Sequence, residues 1–219
     1  MRYERKFLVP PANKHIVESY LSSIGFVKAY NKRYVSSIYY DNPFYTNYYD
    51  SINGISDRTK IRARFYNKDT NNCKIEFKIK IADSGDKDFL NLSDFNNTPN
   101  TTLDFNPSFT IPNSLYLPSS IKGSYKPLIY VGYKRSYFTC RNTNSRLTID
   151  HSIVFGFVNS SHNSAHVISK RAFSHSILEL KYNSDTGFPH KQFGMLTSKF
   201  GFVSTRFSKY CAAIEHFLS

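Results

Sequence analysis

Between residues 58 and 64 every second residue is a cation: Arg58, Lys60, Arg62 and Arg64. Ile61, Ala63 and Phe65 occupy the alternate positions. A second alternating run, 73–81, sets Lys74, Glu76, Lys78 and Lys80 against Cys73, Ile75, Phe77, Ile79 and Ile81. Further strand-like segments carry Arg135, Arg146 and Lys181. A period of two places like with like on one strand face. Like charges directly opposite each other on neighbouring strands are destabilising, and a solvated sheet normally mixes its signs. Faces of nearly one sign therefore call for a polyanion. Arginine suits phosphate in particular, because its planar fork binds two oxygens at once.

Composition agrees without deciding. The chain has 219 residues, with 29 Lys and Arg against 16 Asp and Glu, a formal net charge of +13. Such an excess fits nucleic acid, an anionic membrane or a phosphorylated substrate. Hydrophobic residues make up 40%, enough for a core. Cys73, Cys140 and Cys211 are far apart and form no CxxC pair, so neither a disulfide framework nor a zinc site is indicated. The first residues, MRYERKFLVPP, carry charges where a signal peptide needs an apolar run. No apolar stretch approaches the ~20 residues of a bilayer-spanning helix. The expectation is a soluble, cytoplasmic protein.

The elements that must position these cations are mostly strands. Alternation predicts strands at 2–9, 34–41, 58–66, 73–81, 129–139, 146–155, 166–173 and 176–183. Helices are predicted at 12–24, closed by Gly25, at 189–200, and at 208–218 with Ser208 as N-cap. Residues 83–124 are rich in Asn, Ser, Pro and Thr and read as a long irregular insertion. The apolar strand faces need cover, which amphipathic helices supply. The charged faces then either line the lumen of a closed barrel or form a solvated open sheet. Alternation leaves both open. The 17 Tyr and 19 Phe could stack bases, but most fall at core spacing.

Eight segments in order (YERKFLV, SIYYD, KIRARFY, KIEFKIK, YKRSYF, RLTID, LELKY and RFSKY) resemble the catalytic domain of the vacuolar transporter chaperone (VTC) polyphosphate polymerases. These belong to the triphosphate tunnel metalloenzymes. The resemblance runs from residue 2 to about residue 211 and leaves the insertion poorly covered. It implies an α+β fold: a closed antiparallel β-barrel of about eight strands with a charged lumen and flanking helices. It implies a single domain over 1–219. It also implies ATP and polyphosphate as partners, a divalent cofactor (Mn2+ or Mg2+), and transfer of the γ-phosphoryl group onto a phosphate chain.

Matched position by position, the resemblance makes Lys6, Arg62, Arg64, Lys78, Arg135, Arg146 and Lys209 the catalytic cations. Arg206, Ser208, Lys181 and Lys87 become further substrate contacts, and Glu179 the metal carboxylate. Glu4 and Glu76 face the same way and either add metal ligands or, the favoured role, neutralise neighbouring cations. Asp150 is expected to orient Arg146 or another of these cations. His162 and His166 lie in a polar stretch without a carboxylate and suggest no metal site. Arg2 stands where tunnel enzymes carry their first glutamate, which favours the polymerase branch over simple triphosphatases. An inorganic triphosphatase or nucleotide hydrolase, and a non-catalytic polyphosphate binder, are the competing readings. Nucleic acid is not expected, because exposed helices carry few cations.

Overall fold

A computed structural model of the chain describes residues 2–81, 84–91, 108–109, 124–141, 144–161, 164–183, 194 and 197–218. In chain order they form β1 (Arg2–Val9), a 3-10 turn (Pro11–Asn13), α1 (Lys14–Ser23), β2 (Val27–Asp41), α2 (Thr46–Ile52), β3 (Arg58–Tyr66), β4 (Asp69–Ile81) and β5 (Ser84–Asn91). There follow β6 (Ser108–Phe109), β7 (Lys126–Cys140), β8 (Ser145–Ser161), β9 (Ser164–Phe173), β10 (Ser176–Asn183), β11 (Ser204–Thr205) and α3 (Lys209–Leu218). All eight predicted strands are present, several of them longer than expected. Of the predicted helix at 189–200, residues 197–200 are helical, and most of the rest lies outside the described residues. His162 and most of the 83–124 insertion also lie outside them. The insertion is not wholly irregular, because 84–91 is strand β5.

The strands pair in the order β11-β1-β10-β8-β7-β2-β3-β4-β5, with β9 joined to β8 and β6. The ladder is an antiparallel sheet with flanking helices. It corrects the expected closed barrel. Among the described residues no pairing joins the two ends of the path. At the two ends of the path, β11 is two residues long and pairs with β1 at Lys6 and Phe7, and β5 pairs with β4.

The chain divides into two compact units. The first comprises Met1–Tyr34, Tyr133–Ile153 and Ala172–Phe207. The registers Lys6↔Glu179, Phe7↔Leu178, Glu179↔Thr148 and Leu178↔Ile149 sort its side chains. Phe7, Val9, Leu147, Ile149, Leu178 and Leu180 form the apolar face, closed by Val17 and Leu21 of α1. Glu4, Lys6, Glu179, Lys181, Arg146 and Asp150 share the other face by the same register. The end of α1 is set by Gly25 at φ 90. Phe26 N–H donates to Leu21 O at 3.0 Å and Gly25 N–H to Ser22 O at 3.3 Å, which satisfies the last carbonyls and returns Phe26 to the core.

The second unit comprises Val35–Gly132, Val154–Arg171 and Ser208–Ser219. Ile61, Ala63, Phe65, Ile75 and Phe77 pack with Ile38 and Tyr40. The intervening positions of β3 and β4 present Lys60, Arg62, Arg64, Lys74, Glu76 and Lys78. Buried Asp41 ties this unit's helices together. Its Oδ1 accepts from Asn42 N at 2.8 Å and Asn47 N at 3.0 Å, and its Oδ2 from Tyr48 N at 3.1 Å and from the Tyr210 hydroxyl. One carboxylate thus caps α2 and anchors the first turn of α3.

Asp41→Ala leaves several buried donors unmatched. Each such donor costs about 1–3 kcal/mol, so urea denaturation is expected to show a loss of roughly 3–5 kcal/mol, against about 1–2 for Tyr210→Phe.

Candidate phosphate-binding site

In the second unit, β3 and β4 bring like charges directly opposite each other at Lys60↔Lys78 and Arg64↔Lys74. Such juxtapositions cost on the order of 0.2–1 kcal/mol each. The anion on this face is Glu76, register partner of Arg62. Its Oε2 accepts from Arg62 Nε at 2.6 Å, lies 2.5 Å from Arg62 Nη2, and is 3.5 Å from Arg64 Nη1. Glu76 therefore acts as the neutraliser of two arginines, the role favoured from the sequence. Arg64 Nε also donates to Ser37 Oγ at 3.2 Å. Lys78 is exposed, and Lys87 is its register partner on β5 by backbone position, with a side chain outside the described residues.

Ser208 caps α3: its Oγ accepts from Cys211 N at 3.4 Å and from Lys60 Nζ at 3.1 Å. Lys209 opens the helix beside it. The N-cap expected from the sequence is present, and Lys60, treated there as one cation among several, proves to be its partner.

The sequence reading missed Tyr39. Its hydroxyl accepts from Arg62 Nη1 at 3.2 Å, and its ring stacks on Tyr210 with centroids 5.3 Å apart. Burial works to raise its pKa, but Arg62, Arg64, the Arg62 hydrogen bond and Lys209 outweigh it and hold the phenol at about 8. The signal was the register: Tyr39 is directly opposite Arg62, which sequence alone does not reveal.

In the first unit, Glu4 and Glu179 alternate with lysines. Glu4 Oε1 is 3.1 Å from Lys6 Nζ and its Oε2 3.3 Å from Lys181 Nζ. Lys181 Nζ also lies 2.8 Å from Glu179 Oε1. Lys6 Nζ donates to Phe207 O at 3.2 Å. Burial works to raise the Glu179 pKa, but Lys181 and Lys6 outweigh burial and Glu4, so the carboxylate is held below its ordinary range and is charged at neutral pH.

Arg135 is held by Asp150, with Nε to Oδ1 at 2.5 Å and Nη2 to Oδ2 at 2.7 Å, and lies over the Tyr133 ring. Burial opposes its charge, but Asp150 raises its pKa far above the ordinary value. Nη1 is the guanidinium nitrogen not committed to Asp150. The cation that Asp150 orients is thus Arg135. Arg146 stands four residues away on the same strand, about 13 Å at ~3.3 Å per residue, beyond a carboxylate's reach. Arg146 and Arg206 are exposed and make no ion pair among the described residues.

The structure thus groups Lys6, Lys181, Glu179, Arg135 and Arg146 in one unit and Arg62, Arg64, Lys78, Ser208 and Lys209 in the other. No group of three or more metal-ligating side chains occurs among the described residues. Glu179 and Glu4, which share Lys181, are a pair of hard oxygen donors. Hard oxygen donors of this kind would suit a Mg2+-like ion.

The VTC domain family model matches residues 1–218. No curated protein matches the sequence. Among solved structures, an adenylate-cyclase-like protein from Bacillus halodurans is similar over 100% of this chain and 98% of its own, with 13% identity and a TM-score of 0.55. An adenylyl-cyclase-like protein from Hippeastrum, described as having a dominant triphosphatase activity, is similar over 99% of this chain and 96% of its own (12% identity, TM-score 0.51). One from Vibrio parahaemolyticus covers 98% and 97% (13% identity, TM-score 0.50). At this identity the likeness is one of fold, that of the tunnel proteins.

Absorbance at 295 nm is expected to show one tyrosine titrating near pH 8, absent in Tyr39→Phe and moved upward in Arg62→Met. Because the folded pKa lies below the unfolded one, this tyrosine's contribution to stability is complete above about pH 10 and lost as pH falls through 8.

Proposed function

Since the chain belongs to the VTC domain family, we propose that it is a metal-dependent polyphosphate polymerase that moves the γ-phosphoryl group of ATP onto a phosphate chain. The observation that carries this reading is the one-signed face of β3 and β4, where Lys60, Arg62, Arg64, Lys74 and Lys78 stand with Glu76 as their counter-charge. Phosphoryl transfer asks mainly for positioning and charge neutralisation. A terminal oxygen of the chain attacks the γ-phosphorus, the bond to the β-phosphate oxygen breaks, and ADP leaves with that electron pair. Arg62, Arg64, Lys78 and Lys87 bind phosphate oxygens from β3, β4 and β5. Ser208 and Lys209 add a hydroxyl, an ammonium and the N–H groups of a helix start. In the first unit, taken by itself, Lys6, Arg135, Arg146, Lys181 and Arg206 are the cations assigned to phosphate.

Glu179, with Glu4 beside it, would hold the divalent ion, Mn2+ or Mg2+. That ion supplies charge neutralisation at the phosphate oxygens when bound. Lys181 spans both carboxylates and favours the ionised form of Glu179. Asp150 spends two nitrogens of Arg135 on orientation and leaves the third to face substrate. Tyr39 holds the Arg62 guanidinium from its other side.

A second reading, a triphosphatase on the same residues, is favoured by the activity described for the Hippeastrum protein. Water then replaces the chain terminus as the attacking group. Incubation with ATP and Mn2+, followed by chain-length electrophoresis and a phosphate-release assay, separates the two. Growing chains with ADP support the polymerase, and phosphate without polymer supports the hydrolase. Glu179→Gln is expected to lower turnover by roughly 100-fold or more under either reading. Exposed Lys78→Gln is expected to keep its melting temperature while kcat/KM for ATP falls by about tenfold.

A further inference from the structure

Within the first unit, one group of charges lies on the sheet face opposite the Glu179 cluster. His151 of β8 is 5% exposed. It follows Ile149 by two positions and so falls on the apolar, α1-covered side of the first unit's sheet. Its Nε2 is buried without a hydrogen-bond partner among the described residues, as is Glu18 Oε1 of α1. Nδ1 lies 3.3 Å from Ser152 Oγ. Three lysines from three elements act on this ring: Lys14 of α1, Lys32 of β2 and Lys134 of β7. The anion acting on it is Glu18, whose Oε2 is 3.8 Å from Lys32 Nζ. Lys14 and Lys134 have no ion pair among the described residues. Burial first, then Lys14 and Lys32, with Lys134 adding to them against Glu18, hold the imidazole neutral, with its pKa down at about 4.

We propose that the surface where α1, β2 and β7 meet over His151, on the opposite sheet face from Glu179, is a docking site for a phosphate chain. The occupant follows from the polyphosphate reading above, on which this inference rests. With Nδ1 next to Ser152 Oγ, Nε2 is the ring nitrogen left without a partner among the described residues, and in its protonated tautomer it is a donor for a phosphate oxygen. Lys14, Lys32 and Lys134 supply the net positive field. On β7, Tyr137 alternates with Lys134 and Phe138 and so falls on the other face of the sheet from His151. A flexible chain of phosphates needs cations and donors alone, and single-stranded nucleic acid draws much of its affinity from stacking. A site on this face would hold a long chain on the side of the first unit's sheet opposite Glu179.

The test compares the full chain with a Lys14→Gln/Lys32→Gln/Lys134→Gln variant, both checked for equal melting temperature. Binding is measured for long-chain polyphosphate, tripolyphosphate, single-stranded RNA and anionic phospholipid vesicles. The triple variant is expected to bind the long chain about tenfold more weakly, with a shallower salt dependence, and tripolyphosphate unchanged. Glu18→Gln is expected to tighten long-chain binding, and the His151 proton resonance to move when the long chain is added. Unchanged long-chain affinity in the triple variant, with tripolyphosphate still bound, overturns this site and leaves the functional reading standing. A loss confined to RNA or vesicles also overturns it. A wild-type chain that binds neither phosphate ligand overturns both.

Discussion

The structure depends on the charge carried by one side of its strands. On β3 and β4 the apolar side is closed by Ile61, Phe65, Ile75 and Phe77, and alternation then forces Lys60, Arg62, Arg64, Lys74 and Lys78 onto the other. The repulsion between Lys60 and Lys78, and between Arg64 and Lys74, follows from the same register that builds the core. Glu76 relieves part of it by serving two arginines, and Ser37 and Tyr39 take further guanidinium hydrogens. What remains is a face whose cations are held in place by neutral or shared partners. An anion entering such a face meets donors that need little reorganisation.

The first unit solves the same problem differently. Its charged side alternates sign, with Glu4 between Lys6 and Lys181, and Lys181 between Glu4 and Glu179. Such a network keeps Glu179 ionised despite its burial. It also places two carboxylates close to one ammonium, a donor pair absent from the second unit's described face. The order of charges along β1 and β10 is what brings these carboxylates and lysines together.

Much of this was legible in the sequence. Strict alternation located β3 to the residue and marked its two faces, because a half-buried strand has no other way to satisfy both. The strand at 176–183 and the Ser208 cap were legible for similar reasons. Other features were not. Residues 27–33 of β2 are largely exposed on both sides, so they carry no alternation to read. Strand β5 contains Gly85, Asp86 and Asp88 and owes its form to pairing with β4. Helix α2 is capped by side chains from Asp41 and Asn42, a local network without a period. Asp150's choice of Arg135 and Tyr39's position against Arg62 are matters of register between distant strands. The closed barrel implied by the family resemblance is replaced by an open ladder among the described residues.

The central claim is that the cations around Arg62, Arg64 and Lys209 hold phosphate. Tyr39 reports on them directly, because they lower its pKa. Titration of the tyrosine absorbance with and without saturating tripolyphosphate measures whether the anion reaches this cluster. The account predicts that the pKa near 8 rises toward 10 as bound phosphates offset the guanidinium charge. A pKa that stays near 8 with tripolyphosphate bound would contradict it.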